Sequence, residues 1–227
     1  MTIKAILFDF DDTLGNREEY THRTYSKRID EILPDADPWY REQIIQQCLI
    51  YDQHGEVRKD YIRGKILEVY GIDLGEAFPA YWADHQWRNA VLYDEAIPVL
   101  TELKKRGYKT GVITNGNSFN QHRKVEATGL VPYLDVLVVS GDIDLPKPDP
   151  AIFRYGADML GLKCEECAYV GDMFRNDICG AYGAGMMPVW IWPHNPDRYA
   201  DVPVTKIRTL SDLLDLFPGV EESGEQG

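Results

Sequence analysis

The chain has 227 residues, 44% of them hydrophobic, enough to bury the core of one domain carrying an insertion or of two small ones. A formal net charge of −13 argues against a nucleic-acid backbone as partner, and an anionic substrate would need a local positive site within that negative field. No run approaches the roughly 18 to 20 apolar residues of a membrane span, and no basic segment followed by a long apolar one opens the sequence, so no membrane partner is expected and the reading places the chain in the cytoplasm.

Ile3 to Phe8 is a short run of large apolar residues and reads as a buried strand. Asp9-Phe10-Asp11-Asp12-Thr13-Leu14 follows where that strand ends, the crevice in which open α/β sheets bind ligands. Asp9 and Asp11 place two like charges close together, which a cation or a shared proton must offset, and hard oxygen donors suit Mg²⁺. One carboxylate can attack phosphorus while the other handles the leaving group's proton. The competing reading is an acidic, solvated turn.

From Asn16 to about Ala90 apolar residues recur at helical spacing, as in Ile29, Ile32 and Leu33 or Ile44, Ile45, Cys48 and Leu49. Pro34, Pro38, Gly55, Gly71 and Gly75 punctuate this stretch into about four helical segments. It carries eleven aromatics, among them Tyr20, Tyr25, Trp39, Phe78 and Trp82, which at this spacing are core residues before they are a stacking surface. Arg23, Lys27, Arg58 and Arg63 either meet a second anionic group or coat a solvated face.

The rest alternates. Helices are expected over Ala96–Arg106, Phe119–Thr128, Ala151–Leu160 and Ile178–Tyr182, and strands over Lys109–Thr114, Val136–Val139, Ala168–Val170 and Pro188–Trp192. Strands separated by helices of this length imply right-handed crossovers and a parallel sheet. The fold class is therefore α/β, a Rossmann-like parallel sheet with a helical insertion. The core spans 1–15 and 92–217, the insert 16–91, and an acidic tail expected to be disordered 218–227. Cys164 and Cys167 have the spacing of half a metal knuckle, but no second pair completes it, and they read as thiols flanking a buried strand. The five histidines show no ligand spacing.

Three more strand ends carry polar chemistry. Thr114-Asn115-Gly116 offers hydroxyl and amide donors for a phosphoryl oxygen, or is an ordinary Asn-Gly turn. Lys147 lies among Pro146, Pro148 and Pro150, which either hold its ammonium at low entropic cost or form an exposed linker. Gly171-Asp172 through Asp177 brings two further acids, of which Asp177 could simply cap the next helix.

Together these segments resemble, in order, the four motifs of the haloacid dehalogenase superfamily, subfamily I: Asp9 to Leu14, then Thr114, then Lys147 within Lys-Pro-Asp-Pro, then Gly171-Asp172 through Asp177. The insert resembles the family's helical cap, a lid hinged near Gly15 and Tyr93-Asp94 that would close over the C-terminal ends of the strands. The resemblance implies that Asp9 is a nucleophile forming an aspartyl-phosphate and that Asp11 is the acid and base. Thr114 and Asn115 would bind substrate, and Lys147 would neutralise Asp9 and the phosphoryl group. Mg²⁺ would be held by Asp9, Asp11 through its backbone carbonyl, Asp172 and Asp177. Asp11 favours phosphate over halide chemistry, since a halide leaves without a proton. The implied function is a phosphatase for a small phosphorylated metabolite, with nucleoside 5′-monophosphates slightly preferred because Asp12 and Thr114-Asn115-Gly116 resemble the nucleotidase branch. The alternatives are a sugar phosphomutase, a phosphonate hydrolase or a non-catalytic scaffold. A monomer or homodimer is expected.

Overall fold

The computed structural model describes residues 2–191 and 201–220. The chain forms two compact units, Met1–Gly15 with Leu92–Gly227, and Asn16–Val91.

The first unit is built on six parallel strands: β1 (Ala5–Phe8), β2 (Lys109–Thr114), β3 (Val136–Val139), β4 (Cys167–Gly171), β5 (Met187–Ile191) and β6 (Thr205–Ile207). Their spatial order is β3-β2-β1-β4-β5-β6, so the first strand of the chain is central. Side chains alternate across a strand, and β1 shows it: Ile6 and Phe8 enter one hydrophobic core, Ala5 and Leu7 the other. Ala168 and Val170 of β4 divide from Cys167 and Tyr169 in the same way. Covered on both faces, these strands read as continuous apolar runs rather than alternating ones.

Val99, Leu100 and Leu103 of the helix Ala96–Lys105 pack in the first core, and Ile152, Phe153 and Ala157 of the helix Pro150–Met159 in the second. Because every strand is parallel, the C-terminal ends of β1, β2 and β4 share one edge. That edge carries Asp9, Thr114 and Asp172.

The structure adds to the sequence reading and corrects it in places. A sixth strand, β6, is missing from that reading; only three residues long, it buries a single apolar side chain, Ile207. The expected helix over Ile178–Tyr182 is present as Cys179–Ala184, preceded by a π-helical turn, Phe174–Ile178, that the reading did not contain. The tail does not begin at residue 218, because Val220 packs on the first core and its amide donates to the Arg106 carbonyl at 3.0 Å. Trp192 and Glu221–Gly227, expected as strand end and tail, lie outside the described residues.

The second unit contains α-helices over Arg17–Ile32, Pro38–Asp52, Lys59–Tyr70 and Phe78–His85. Their starts follow local chemistry: the Asn16 side chain accepts from the Glu19 amide, and Asp37, before Pro38, accepts from Trp39 and Tyr40 amides. Gly71 ends the third helix at φ +69°, a conformation that costs glycine little. Tyr25, Ile29, Ile44, Ile45, Cys48, Ile62, Ile66, Phe78 and Trp82 form this unit's own core, with the Tyr25 and Trp82 rings 4.6 Å apart. Trp39 and Tyr61 are exposed. Of the basic residues considered for an anion, Arg23, Arg58 and Arg63 pair with Glu19, Asp60 and Asp73, and Lys27 donates to Asn89.

Candidate active site

Lys147 is the centre of the arrangement. Its ammonium is buried and lies 2.8 Å from Asp9 Oδ1, 2.7 Å from Asp177 Oδ1 and 3.0 Å from the Tyr169 hydroxyl. The exposed-linker reading of this segment is therefore wrong. The segment is fixed from the side by Asn115, whose amide accepts from Lys147 N at 2.7 Å and donates to Lys147 O at 3.0 Å. Tyr169 is oriented in turn by donating to the Ile113 carbonyl at 2.7 Å.

Three carboxylates, those of Asp9, Asp172 and Asp177, place an oxygen each within 4.8 Å of one another. Asp177 is wholly buried inside the π-helical turn, so it does not cap the helix that follows. Its Oδ1 faces Lys147, and its Oδ2 accepts from the Met173 amide at 2.9 Å. Gly171 makes this possible, because a Cβ there would run into the Asp177 carboxylate. Asp172 is placed by its backbone, whose carbonyl accepts from the Trp190 indole at 2.8 Å.

One ammonium cannot balance three carboxylates, two of them buried and the third, that of Asp172, half-buried. Burial pushes the Asp9 carboxyl up to about 7, against the pull of Lys147 and with repulsion from Asp177 adding to the rise. Burial, then Asp177, Asp9 and Asp12, hold Asp172 well above the usual carboxylate range. Burial works against the Lys147 charge, but Asp177 and Asp9 outweigh it and hold the ammonium well above its ordinary value.

Two oxygens report what is missing from this balance. Asp172 Oδ1 is buried with no hydrogen-bond partner among the described residues, and Asp9 Oδ1 faces Lys147 without the alignment of a hydrogen bond. Buried acceptors in native proteins are almost always satisfied. Hard oxygen donors converging with excess negative charge and unsatisfied lone pairs fit a divalent cation such as Mg²⁺.

Thr114 and Asp11 lie on the other side of Asn115. The Asp11 carboxylate is held by Lys124 Nζ, 2.9 Å from Oδ1 and 2.8 Å from Oδ2, and by Gln121 Nε2, 3.0 Å from Oδ2. The same Gln121 nitrogen lies 3.0 Å from Thr114 Oγ1 and 2.7 Å from the Asn115 carbonyl. Sequence reasoning overlooked Gln121, Lys124 and Tyr169. The available signal was polar residues on the core-facing side of the helix Ser118–Ala127, where Gln121 and Lys124 are buried beside Val125.

A strand-end nucleophile candidate, a buried cation and converging acids on a doubly wound sheet define a hydrolase-type centre. A family model described as haloacid dehalogenase-like hydrolase matches residues 3–185, and the chain belongs to that family of enzymes. It is 31% identical to a glyceraldehyde 3-phosphate phosphatase of Methanopyrus kandleri, over 93% of this chain and 97% of the relative. It is 34% identical to a phosphoserine phosphatase of Thermus thermophilus, over 61% of this chain and 55% of that protein. Among solved structures, a HAD phosphatase from Thermococcus onnurineus matches with a TM-score of 0.66 at 28% identity, covering 97% of this chain and 100% of the other.

Proposed function

We propose that the chain is a Mg²⁺-dependent phosphatase that hydrolyses small aliphatic phosphomonoesters through an aspartyl-phosphate on Asp9. The observation that carries this reading is the cluster of Asp9, Asp172 and Asp177 beside the buried Lys147, with unsatisfied carboxylate oxygens on two of its members. Phosphoryl transfer asks a protein mainly for positioning and charge stabilisation, and both are supplied here.

A carboxylate oxygen of Asp9 attacks phosphorus, and the bond to the leaving alcohol breaks as Asp11 gives that oxygen a proton. Asp11 then takes a proton from water as the water attacks phosphorus, and the bond to Asp9 breaks to release inorganic phosphate. Lys147 keeps the Asp9 carboxylate in place and offsets charge on the transferring group. The Thr114 hydroxyl, whose contact with the Asn115 carbonyl is a long 3.4 Å, turns to a phosphoryl oxygen, and Asn115 keeps the Lys147 segment against it. Asp9, Asp172, Asp177 and the backbone carbonyl of Asp11 would hold Mg²⁺, which supplies charge compensation for the phosphoryl oxygens when bound. Both Asp177 oxygens already accept from the protein, so its main part is to orient Lys147.

The helical unit is the cap of this reading. Its burial of Tyr20, Tyr25, Phe78 and Trp82 removes much of the argument for base stacking. The full-length relative named for glyceraldehyde 3-phosphate instead favours a short phosphorylated carbon chain. Free cysteines at 48, 164, 167 and 179 accord with a cytoplasmic setting.

The test is phosphate release from a panel of glyceraldehyde 3-phosphate, phosphoserine, hexose phosphates and nucleoside monophosphates, with Mg²⁺ and with chelator. Turnover of short aliphatic esters should be fastest and should vanish on chelation. Undiminished turnover in chelator, or none on any ester, defeats the reading.

A further inference from the structure

The grip on Asp11 has a chemical meaning that motif matching does not supply. Lys124 and Gln121 are buried, whereas the Asp11 side chain they hold is 22% exposed, so a fixed cation and a fixed amide meet a carboxylate that reaches toward solvent. Lys124 touches both Asp11 oxygens, which fixes the plane of the carboxylate as well as its position. Gln121 adds a second anchor and ties Asp11 Oδ2 to Thr114 Oγ1 through one nitrogen.

The amide itself shows what this geometry costs. Gln121 Oε1 is buried with no hydrogen-bond partner among the described residues, while Nε2 faces three acceptors. Turning the amide over would set Oε1 against three oxygens, so the observed orientation is the one the surroundings demand. A buried acceptor left unsatisfied is costly, and this site tolerates it to aim a donor at Asp11 and Thr114.

We infer that Lys124, assisted by Gln121, is a positioning residue that holds Asp11 as acid and base for the two proton transfers. The inference rests on the phosphatase reading above. Lys124 acts through Asp11, and so leaves the attack by Asp9 unchanged.

Lys124→Met should therefore reproduce the loss of Asp11 in weakened form. On an alkyl phosphate kcat falls on the order of 10- to 100-fold while KM changes little, since general acid–base catalysis contributes about 10²–10⁴-fold. On p-nitrophenyl phosphate, whose leaving group needs no proton, the first turnover stays near the native rate while later turnovers slow. That gives a burst of about one nitrophenolate per site, because breakdown of the aspartyl-phosphate still needs the base. Lys124→Arg should recover part of the alkyl-phosphate rate. Adding Lys124→Met to Asp11→Asn should cost nothing further, as expected of residues acting as one unit. Lys124→Gln, which keeps a donor but no charge, carries the same measurements should the methionine variant not fold.

Native rates in the folded variants, an equal slowing of first and later turnovers, or losses that multiply in the double variant would overturn the inference. A wild-type chain that releases no phosphate would instead overturn the phosphatase reading itself.

Discussion

Asp9 stands at the point where burial and like charge meet, and its substitution separates chemistry from folding. Asp9→Asn keeps the volume, removes the attacking oxygen and relieves repulsion with Asp177 and Asp172. Phosphate release should fall below detection while the melting temperature of the metal-free protein holds or rises. A variant that still turns over, or one that melts several degrees lower, contradicts the role given to this carboxylate. Asp9 was legible in the sequence because a second acid follows it by two residues at the end of an apolar strand. Gln121 was harder to read, because it shares a helix face with Val125 and only docking of that helix shows the face to be buried. Tyr169 was hidden for a related reason: its ring belongs in a strand core, and only the fold shows its hydroxyl on Lys147.

At the scale of elements, the helical unit holds a buried ionic knot of its own. Asp52 closes the second helix and meets Arg17 at 2.5 Å, the Tyr25 hydroxyl at 3.3 Å, and Lys59. Burial raises the Asp52 pKa, but Arg17 and Lys59 prevail and leave it below the usual carboxylate range. A depressed carboxylate stabilises the fold above its unfolded pKa of about 3.9 and loses that contribution as pH falls through its folded value. Asp52→Asn should cost on the order of 3–5 kcal/mol near neutral pH, because it removes the buried charge that Arg17 and Lys59 share. The deficit should shrink below about pH 4, as the unfolded carboxylate protonates first and the folded one only at lower pH. Denaturant melts across that range decide it; a deficit that stays constant with pH removes the electrostatic account. Hydrophobic spacing made the four helices of this unit readable, whereas the Asp52 knot joins residues 35 positions apart and has no local pattern. The π-helical turn around Asp177 escaped for a different reason. Its extra residue per turn serves the carboxylate's packing on Gly171, a tertiary demand invisible in the sequence.

For the whole molecule, a cation held by the acidic cluster would couple folding to cation supply. A ligand that binds only the native state adds stability that grows with its concentration. Millimolar Mg²⁺ should raise the melting temperature, and Asp172→Asn should abolish most of that increment by removing one convergent oxygen. An equal increment in both proteins would place the cation elsewhere. The sheet order carries a further consequence for how the protein is made. The central strand β1 leaves the ribosome before both of its neighbours, which begin only at Lys109 and Cys167. Until Lys109–Thr114 is made, four apolar residues and both edges of that strand therefore await partners, the kind of exposed segment that holdase chaperones shield. Asn16–Val91 has its own core and mainly local contacts, so it can condense while β1 still waits. Activity should appear late and abruptly in a nascent chain, when β4 docks beside β1 and delivers the acids that Asp9 lacks until then.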